Sequence, residues 1–593
     1  MANSTSMRLF HSCFVLLAAG LAGPQQLLAQ DNPGQPGAVP YARAYPQFNQ
    51  WELRSQETGD LFIPPADERP LGEDQGPRIA VTSVRLDIDP GLAKLMDAEL
   101  NQSLSQTITG AVASHQEQGF TIGQLETLAS EATDELRNAG FILAWAYLPE
   151  QTVADQTVVI TVLPGRLESV NVEGNSGYSV ERLLTPFAPL MAAPVQKSQI
   201  ENSILSVRDY PGLSTTAVFS PGTTTGSSEL TLRVSEDPFD ISFVADNYGS
   251  ESTGETRVRA DMYWYNPFGR ADAITANVLQ TFSPSDNLYG GIRYATPLFT
   301  HDFFLALAYS HNAFDVTSGA FGDVGLGGES DIASMTLTKN LRYTRRSKMD
   351  LSFDFSSKKS TVSDSIVDRI DDLSVLSLEF ALEAVDGIFN GGVNQLQVQY
   401  SQGLADFLGS MPADGNATSS RRGGSGDFAG GDFGKTEIRY QRLQRISKSN
   451  SLLMRLEGQY SNDLLTSLEQ FLMGGPYSVR AYPVAEFLMD SGVFGSAEWI
   501  LDLNKAFDWT STSTTWSVSA FADAARGELN DPLASEQRFV NLAGYGMGLS
   551  FNHTGGSGNL LGMRLDVSAP YTEREPSNER DPQIYGQLNY SFR

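Results

Sequence analysis

The C-terminal part of the chain, more than half of its length, consists of runs of about ten residues in which apolar and polar side chains alternate. In the run 256–265, Val258 and Trp264 share one face, whereas Arg257 and Arg259 share the other. Successive side chains of a strand point to opposite faces of a sheet. One apolar face and one charged face fit a strand that has lipid on one side and water on the other. The alternation therefore predicts a transmembrane β-barrel.

Sixteen such runs can be counted. The turns after even-numbered runs are mostly short and several after odd-numbered runs are long, as in bacterial barrels with short periplasmic turns and longer external loops. An even number of strands closes by pairing the first with the last, and sixteen enclose an aqueous lumen. The alternative is a soluble sandwich or propeller, which would not need so many tyrosines and tryptophans at strand ends beside a charged face. The runs begin near residues 239, 256, 272, 287, 302, 331, 347, 373, 393, 434, 450, 492, 514, 541, 559 and 582.

The N-terminus has the layout of a secretory signal. Arg8 precedes the apolar run 13–19, and cleavage is expected near Ala29, so that residues 1–29 are the signal peptide. Beyond it no stretch approaches the roughly eighteen apolar residues of a transmembrane helix, so any membrane crossing must use strands. Cys13 is the only cysteine and lies in the signal, so the mature chain is expected to have no disulfide and no thiolate metal site.

The chain is acidic, with a formal net charge of −29 that becomes −30 when Arg8 is removed. This balance disfavours a nucleic-acid partner, whose phosphates require a basic face. It suits a solvated, secreted surface, and it equally suits an organism whose proteins are generally acidic.

Residues 30–77 are predicted to be a proline-rich linker. The stretch 31–77 holds eight of the 28 prolines, with Gly, Gln and Asp between them, and such a composition builds no core. One short helix is conceivable over 47–58, around Trp51.

Residues 78–165 change to a mixed pattern of a strand, helical stretches and two further strands. The clearest helix begins at Thr121, where Gln124 completes a capping box, and ends at Gly140. A strand is expected over 141–148, followed by another.

Residues 166–236 repeat this scheme in a shorter form, with a helix expected over 197–207. Two consecutive β-α-α-β-β units are the economical interpretation. Each would be a small soluble α+β domain with an exposed sheet edge.

Residues 474–483 combine turn formers with one arginine, Arg480, deep in the strand region. Farther along, the strand-like run 516–523 places Phe521 and Asp523 on its polar face. We hypothesise that the first segment folds back into the barrel and that Arg480 pairs with Asp523, so that an obstruction of the pore is held by charge. In a water-filled lumen such a pair would be worth roughly 1–3 kcal/mol, and more if it is bidentate and partly shielded. The alternative is two solvated lumen charges.

With these residues in view, the chain resembles the two-partner secretion transporters of the outer membrane, the haemolysin/haemagglutinin secretion-activation family of the outer-membrane assembly superfamily. The resemblance covers nearly everything after residue 78, and 246–249 is a weaker echo of it. It implies two polypeptide-transport-associated (POTRA) domains, 78–165 and 166–236, before a sixteen-stranded barrel over 237–593. It assigns Val479, Arg480, Ala481 and Tyr482 to the sixth-loop motif, and Phe521 and Asp523 to the barrel-wall motif.

The resemblance also implies a function. Such a barrel in the outer membrane exports one large exoprotein, an adhesin or a cytolysin, from the periplasm to the cell surface without ATP and without a cofactor. The POTRA domains would bind the partner in the periplasm, and the sixth loop would stabilise the conducting conformation. Two departures are visible: Ala481 stands where the superfamily commonly has glycine, and Arg593 follows the terminal aromatic Phe592.

Two other functions compete with this interpretation. An assembly factor that inserts other barrels shares both motifs but usually carries more than two POTRA domains. An enzyme would need a nucleophile beside a base, yet Ser310 and His311 are neighbours and would point to opposite faces. No metal-ligand spacing or phosphate-binding glycine motif is present. The glycines of 421–434 are expected to make a long external loop flexible.

Overall fold

The computed structural model describes residues 76–592, with gaps at 192, 251–252, 284–286, 301, 316–326, 364–367, 510, 512 and 557. The predicted signal peptide, nearly all of the linker and the conceivable helix over 47–58 lie outside the described residues. The described chain falls into two units that adjoin in the sequence between Glu236 and Asp237.

The N-terminal unit contains two small sheets, each with helices packed on it. In the first sheet β3 lies between β1, to which it is parallel, and β2, to which it is antiparallel. The elements are β1 (Ser83–Ile88), α1 (Pro90–Ala93), α2 (Ala98–His115), α3 (Ile122–Asn138), β2 (Trp145–Tyr147) and β3 (Thr157–Leu163).

The capping box predicted for α3 is present. Thr121 Oγ1 accepts from Gln124 N at 3.2 Å, and Thr121 N donates to Gln124 Oε1 at 3.0 Å. Leu125, Leu128 and Leu136 lie buried along one face of the helix. Apolar spacing and capping thus fix this helix as the sequence predicts.

The strand expected over 141–148 is shorter than predicted, because β2 covers only Trp145–Tyr147. Phe141, Ile142, Leu143 and Ala144 are all buried, and Ala144 N donates to Phe141 O at 2.9 Å in a turn. Four consecutive apolar side chains enter the core here, which an alternating strand could not achieve.

The second sheet has the order β4-β6-β5, with β4 parallel and β5 antiparallel to β6. The longest helix of this part of the chain ends one residue beyond the predicted helix over 197–207. The elements are β4 (Arg166–Glu173), α4 (Val180–Leu184), a 3-10 helix (Thr185–Leu190), α5 (Lys197–Arg208), β5 (Leu213–Pro221) and β6 (Ser227–Glu236).

The turn between β5 and β6 is held by one carboxylate, that of Glu168 on β4. Ser227 Oγ and Thr223 Oγ1 donate to it, and Thr223 N donates at 3.0 Å. These hydrogen bonds favour the charged form and lower the pKa of Glu168 from its usual value of 4.5 to about 2.

Acid is therefore expected to loosen this turn. A depressed carboxyl pKa contributes stability above the unfolded-state value near 4.5, and that stability is lost as the pH falls towards about 2. Hydrogen exchange of residues 222–227, corrected for intrinsic rates, should show protection falling through this window. Glu168→Gln should weaken protection at neutral pH and remove most of the pH dependence, whereas Glu229→Gln, outside this hydrogen-bond cluster, should retain both. Equal pH profiles for wild type and Glu168→Gln would refute the assignment.

The C-terminal unit is a closed barrel of sixteen strands, which confirms the predicted fold class. Neighbouring strands are antiparallel throughout, and every strand begins within five residues of its predicted start. The barrel strands are β7 (Phe239–Asp246), β8 (Thr256–Tyr265), β9 (Ala273–Ser283), β10 (Asn287–Pro297), β11 (Phe303–Asp315), β12 (Gly327–Tyr343), β13 (Ser347–Ser363), β14 (Asp368–Asp386), β15 (Gly392–Gly403), β16 (Gly434–Arg445), β17 (Asn450–Ser461), β20 (Ser491–Asp502), β21 (Thr514–Glu528), β22 (Phe539–Thr554), β23 (Leu560–Pro570) and β24 (Gln583–Phe592).

The first and last barrel strands pair, as predicted, over a short seam. Residues 241–246 of β7 lie antiparallel to 587–592 of β24. Between β17 and β20 the chain forms a separate hairpin of two short strands, β18 (Phe471–Met473) and β19 (Phe487–Met489), and a one-turn helix α6 (Leu503–Ala506) follows β20.

The two faces of the barrel wall differ as the alternation predicts. On β8, Val258 and Trp264 are each 37% exposed on the outside, whereas Arg257, Arg259 and Asp261 are buried on the inside. Across the described ranges, no helix combines the length and the apolar character needed to cross a membrane.

Candidate functional site in the barrel lumen

Loop 6, residues 462–490 between β17 and β20, carries the predicted sixth-loop motif. Its tip lies against the inner wall of the barrel, because Val479, Arg480, Ala481 and Tyr482 are all buried and contact inward-facing residues of the strands. The loop therefore folds back into the lumen.

Arg480 and Asp523 form the ion pair hypothesised from the sequence. Arg480 Nε donates to Asp523 Oδ2 at 2.8 Å, and Nη2 donates to Asp523 Oδ1 at 2.9 Å. This bidentate arrangement is strong and directional. The backbone N of Arg480 also donates to Asp523 Oδ2, at 3.3 Å, so the carboxylate holds the backbone of the loop as well as its side chain.

Three further charges extend this pair. Arg480 Nη1 donates to Glu498 Oε2 on β20 at 2.9 Å, and Glu498 Oε1 accepts from Arg564 Nη2 on β23 at 2.7 Å. Arg564 Nε donates in turn to Asp566 Oδ2 at 2.9 Å. We call these five residues the Arg480 cluster. With two arginines and three carboxylates it carries a formal charge of −1 and joins the loop to three strands.

The guanidinium of Arg480 also stacks on the aromatic ring of the wall motif. Its Cζ lies 3.3 Å from the centroid of the Phe521 ring, within the range of a cation–π interaction. Both residues of the predicted wall motif thus contact Arg480: Asp523 through an ion pair and Phe521 through the face of its ring.

The ion pair takes the bidentate, shielded form rather than the water-screened one. The side chains of Arg480 and Asp523 are 0% and 1% exposed, so water does not screen them. An apolar cluster surrounds the loop tip and excludes solvent; it comprises Met473, Val479, Ala481, Tyr482, Met489, Phe494, Ala525, Leu529, Val540 and Leu542. Nothing in the sequence shows that the loop and the inner wall would bury these residues together.

Ala481 fits because the wall opposite has no side chain. A Cβ built on Gly544 of β22 would lie 2.3 Å from the Cβ of Ala481, much closer than two carbon atoms can approach. Gly544 therefore accommodates the β-carbon that the loop tip carries.

Tyr482 fastens the tip to the last part of the barrel. Its hydroxyl lies 2.6 Å from Thr572 Oγ1 and donates to Arg574 O at 3.0 Å, and its carbonyl accepts from the Tyr585 hydroxyl at 2.8 Å.

The weaker motif 246–249 lies at the barrel seam. The amide of Asn247 donates to Ile584 O at 2.8 Å and accepts from Gly586 N at 2.7 Å, which extends the pairing of β7 with β24. Tyr248 packs edge-on against Tyr477 of loop 6, with ring centroids 5.7 Å apart. This segment thus connects the seam with loop 6.

The glycine-rich segment 421–434 is packed closely, contrary to the expected flexibility. A Cβ on Gly430 would lie 1.8 Å from Ala413 O, and one on Gly431 would lie 2.2 Å from Met411 O. Arg421, which is buried, forms a bidentate ion pair with Asp490 at the end of loop 6. These glycines serve close backbone approach rather than mobility.

Three histidines lie among the described residues, and each contacts ordinary structural neighbours. His311 Nδ1 lies 2.9 Å from Asp331 Oδ1, His553 Nδ1 lies 2.8 Å from Thr514 Oγ1, and His115 stacks on Phe120. Ser310 is buried whereas the side chain of His311 is 41% exposed, consistent with opposite faces. In the part of the chain that the structure describes, no group of three His, Cys, Asp or Glu side chains could hold a metal ion.

Comparison with known proteins gives two matching family models. The model described as haemolysin secretion/activation protein ShlB/FhaC/HecB matches residues 226–551, and that of the ShlB-type POTRA domain matches residues 97–165.

Individual relatives are distant. The heme/hemopexin transporter protein HuxB of Haemophilus influenzae is 22% identical over 474 residues, which cover 78% of this chain and 80% of HuxB. The outer membrane transporter CdiB of Escherichia coli is 23% identical over 444 residues, 72% of this chain and 69% of CdiB.

Solved structures show the same fold. CdiB from Escherichia coli superposes with a TM-score of 0.67 at 21% identity, covering 94% of this chain and 99% of that one. BamA from Haemophilus ducreyi, lacking POTRA domains 1–3, superposes with a TM-score of 0.52 at 14% identity. The match covers 87% of this chain and 100% of that one.

Proposed function

The chain belongs to the haemolysin secretion/activation protein family, and from this we propose that it is an outer-membrane pore that binds a large exoprotein in the periplasm and exports it to the cell surface without ATP. Members of the family are outer-membrane transporters with periplasmic POTRA domains. The barrel of this chain lies in the outer membrane, and its partner is a secreted exoprotein.

The observation that carries the proposal is the position of loop 6. The lumen of a sixteen-stranded barrel is wide enough for an aqueous channel, and here its inner wall holds an inserted loop through the Arg480 cluster. A passive porin would lack the periplasmic domains that precede this barrel. A loop fixed in the lumen suits a pore that opens only for its partner.

The POTRA domains supply the proposed binding surface. Among the described residues, β5 pairs only with β6, so the other edge of this nine-residue strand offers backbone groups to an added strand. Main-chain hydrogen bonds at such an edge require little sequence specificity. The corresponding strand of the first sheet, β2, pairs only with β3 among the described residues, so its outer edge also offers backbone groups to an added strand.

No nucleotide is available outside the cytoplasm, so transport must draw on another source of free energy. We infer that folding of the emerging exoprotein at the cell surface prevents its return. The exported partner is expected to be an adhesin or a cytolysin.

Deletion of this chain tests the proposal. Export of a large secreted protein encoded beside it should stop, and the full chain supplied in trans should restore it. The abundance of other outer-membrane barrels should stay unchanged. A general fall in those barrels would favour the assembly-factor alternative, and unchanged export would contradict the proposal.

Removal of the first POTRA domain tests recruitment separately. A chain without residues 78–165 should bind the partner much more weakly in a pull-down from the periplasm, while its barrel still assembles. Full partner binding would reject the recruiting role of this domain.

A further inference from the structure

A second ion-pair site fixes the part of loop 6 between β17 and the tip, residues 462–478, which we call the first arm. Neither of the two sequence motifs contains this site. The side chain of Glu469 is only 1% exposed. Its Oε1 lies 2.6 Å from Lys358 Nζ, and its Oε2 lies 3.0 Å from Lys435 Nζ. Its carbonyl accepts from Gln459 Nε2 at 2.9 Å. These partners lie on β13, β16 and β17, so the first arm has an attachment to the barrel wall that does not involve the tip.

The two attachments use different strands. Glu469 is held from β13, β16 and β17, whereas the partners of Arg480 in its cluster lie on β20, β21 and β23. β23 also supplies Ser568, whose hydroxyl donates to Arg480 O at 2.6 Å. In the order of the sixteen strands β13 is the seventh and β23 the fifteenth, so the two attachments together fix loop 6 to strands spread over half of the circumference.

Beside the first arm lies a cavity of about 330 Å³. It is bounded by loop 6 and by the inner faces of β10 to β17, and its wall is rich in hydroxyl and amide groups. The Ser478 hydroxyl lines it, is buried, and has no hydrogen-bond partner among the described residues. Wall groups that line it include Ser352, Ser356, Ser377, Gln397, Gln399 and Ser401.

The two attachments differ in strength. At the tip a planar guanidinium makes a fork of hydrogen bonds with buried carboxylates and stacks on a ring, an arrangement that is rigid and costly to separate. At the arm Glu469 is held by two lysines. Each lysine is a point charge on a flexible stem, and the Lys358 side chain is 21% exposed to water that can replace its partner.

We propose that Glu469 is a releasable latch: the first arm of loop 6 leaves Lys358 and Lys435 while Arg480 stays anchored, and the cavity then opens into a passage for extended polypeptide. Its hydroxyls and amides can bond main-chain groups, which every sequence possesses. The nature of what passes rests on the proposed function; the latch itself does not.

The full chain in planar lipid bilayers, without any exoprotein, tests the latch. Glu469→Gln removes the charge but keeps the shape. The fraction of time spent in open conductance states should rise about tenfold or more, because a hydrogen bond to a charged group is worth at least one such factor. Asp350→Asn is the matched control: it removes one buried carboxylate from β13, where Asp350 lies 3.8 Å from Lys348, and should gate like wild type.

Wild-type gating of Glu469→Gln would overturn the proposal, and so would an equal rise in Asp350→Asn, since any wall charge would then suffice. Heat-modifiable migration in gels shows whether each barrel is folded. If Glu469→Gln fails to assemble, Lys358→Gln should show the same direction of change, and wild-type gating there would overturn the latch as well. A chain that gates as expected but exports no protein would contradict the proposed function alone.

Discussion

Replacing Arg480 with alanine is expected to abolish export while the barrel still assembles. The substitution leaves Asp523 buried without its bidentate cation, takes one of two arginine partners from Glu498, and changes the cluster charge from −1 to −2. Removing one partner of a buried pair typically costs about 3–5 kcal/mol. Arg480 is not part of the pairing between barrel strands. The lost free energy therefore destabilises the position of the loop tip and not the barrel.

Export of the partner in cells, together with heat-modifiable migration, measures both parts of this prediction. Arg480→Lys keeps the charge but loses the bidentate fork and the stacking, so export should be intermediate at best. Asp523→Ala should resemble Arg480→Ala. Arg526→Ala, an exposed arginine on the same strand as Asp523, should export normally. Normal export by both Arg480→Ala and Asp523→Ala would contradict a role for the pair.

Gly544→Ala is expected to displace the loop tip and reduce export strongly. The new methyl group would lie 2.3 Å from the Cβ of Ala481, and overpacking of this kind costs about 1–3 kcal/mol. Gly495→Ala is the matched control, because a Cβ there would meet no described atom within 4 Å. It should export normally.

A compensating variant makes this prediction specific. In Gly544→Ala/Ala481→Gly the overlapping carbon of the loop is absent. The nearest remaining neighbours of the new methyl group, Ala569 O and the Cα of residue 481, lie at 3.1 and 3.6 Å. Export should return towards the wild-type level, and Ala481→Gly alone should export normally. A double variant no better than Gly544→Ala would show that the contact with Ala481 is not the cause.

The sequence predicts the barrel well because a lipid-facing wall imposes a rule of period two on every strand. The alternation locates the start of each strand and so gives the count of sixteen. An even count in turn predicts that the first strand, β7, pairs with the last, β24. The pairing of Arg480 with Asp523 was predictable because a lone arginine among turn formers needs a carboxylate on an inner face. The alternation along 493–503 puts Glu498 on the same face as Ser496 and Asp502, opposite Val493 and Trp499, but it indicates no partner for Glu498.

Contacts between distant segments were not predictable in this way. Alternation assigns Arg564 and Asp566 to the inner face but gives no relative height for strands far apart around the barrel, so their meeting with Glu498 could not be inferred. Glu469 lies in an irregular arm with no period at all. The close packing of Gly430 and Gly431 depends on the neighbouring backbone, whereas composition alone suggests mobility.

Tethering loop 6 tests most directly whether the arm moves while the tip stays. The only natural cysteine, Cys13, lies in the predicted signal peptide, so introduced pairs react alone. One pair, Lys358→Cys with Glu469→Cys, joins the arm to β13. The other, Glu486→Cys with Ser577→Cys, joins the tip region to the last external loop, between β23 and β24, where Ser577 Oγ donates to Glu486 Oε2 at 2.6 Å. Each pair is bridged in cells with a bis-methanethiosulfonate, which forms a reducible disulfide with each cysteine and releases methanesulfinate. Export should stop when the first pair is bridged, resume on reduction, and continue when the second is bridged. Continued export with the arm verifiably bridged to β13 would contradict the latch and the passage behind it.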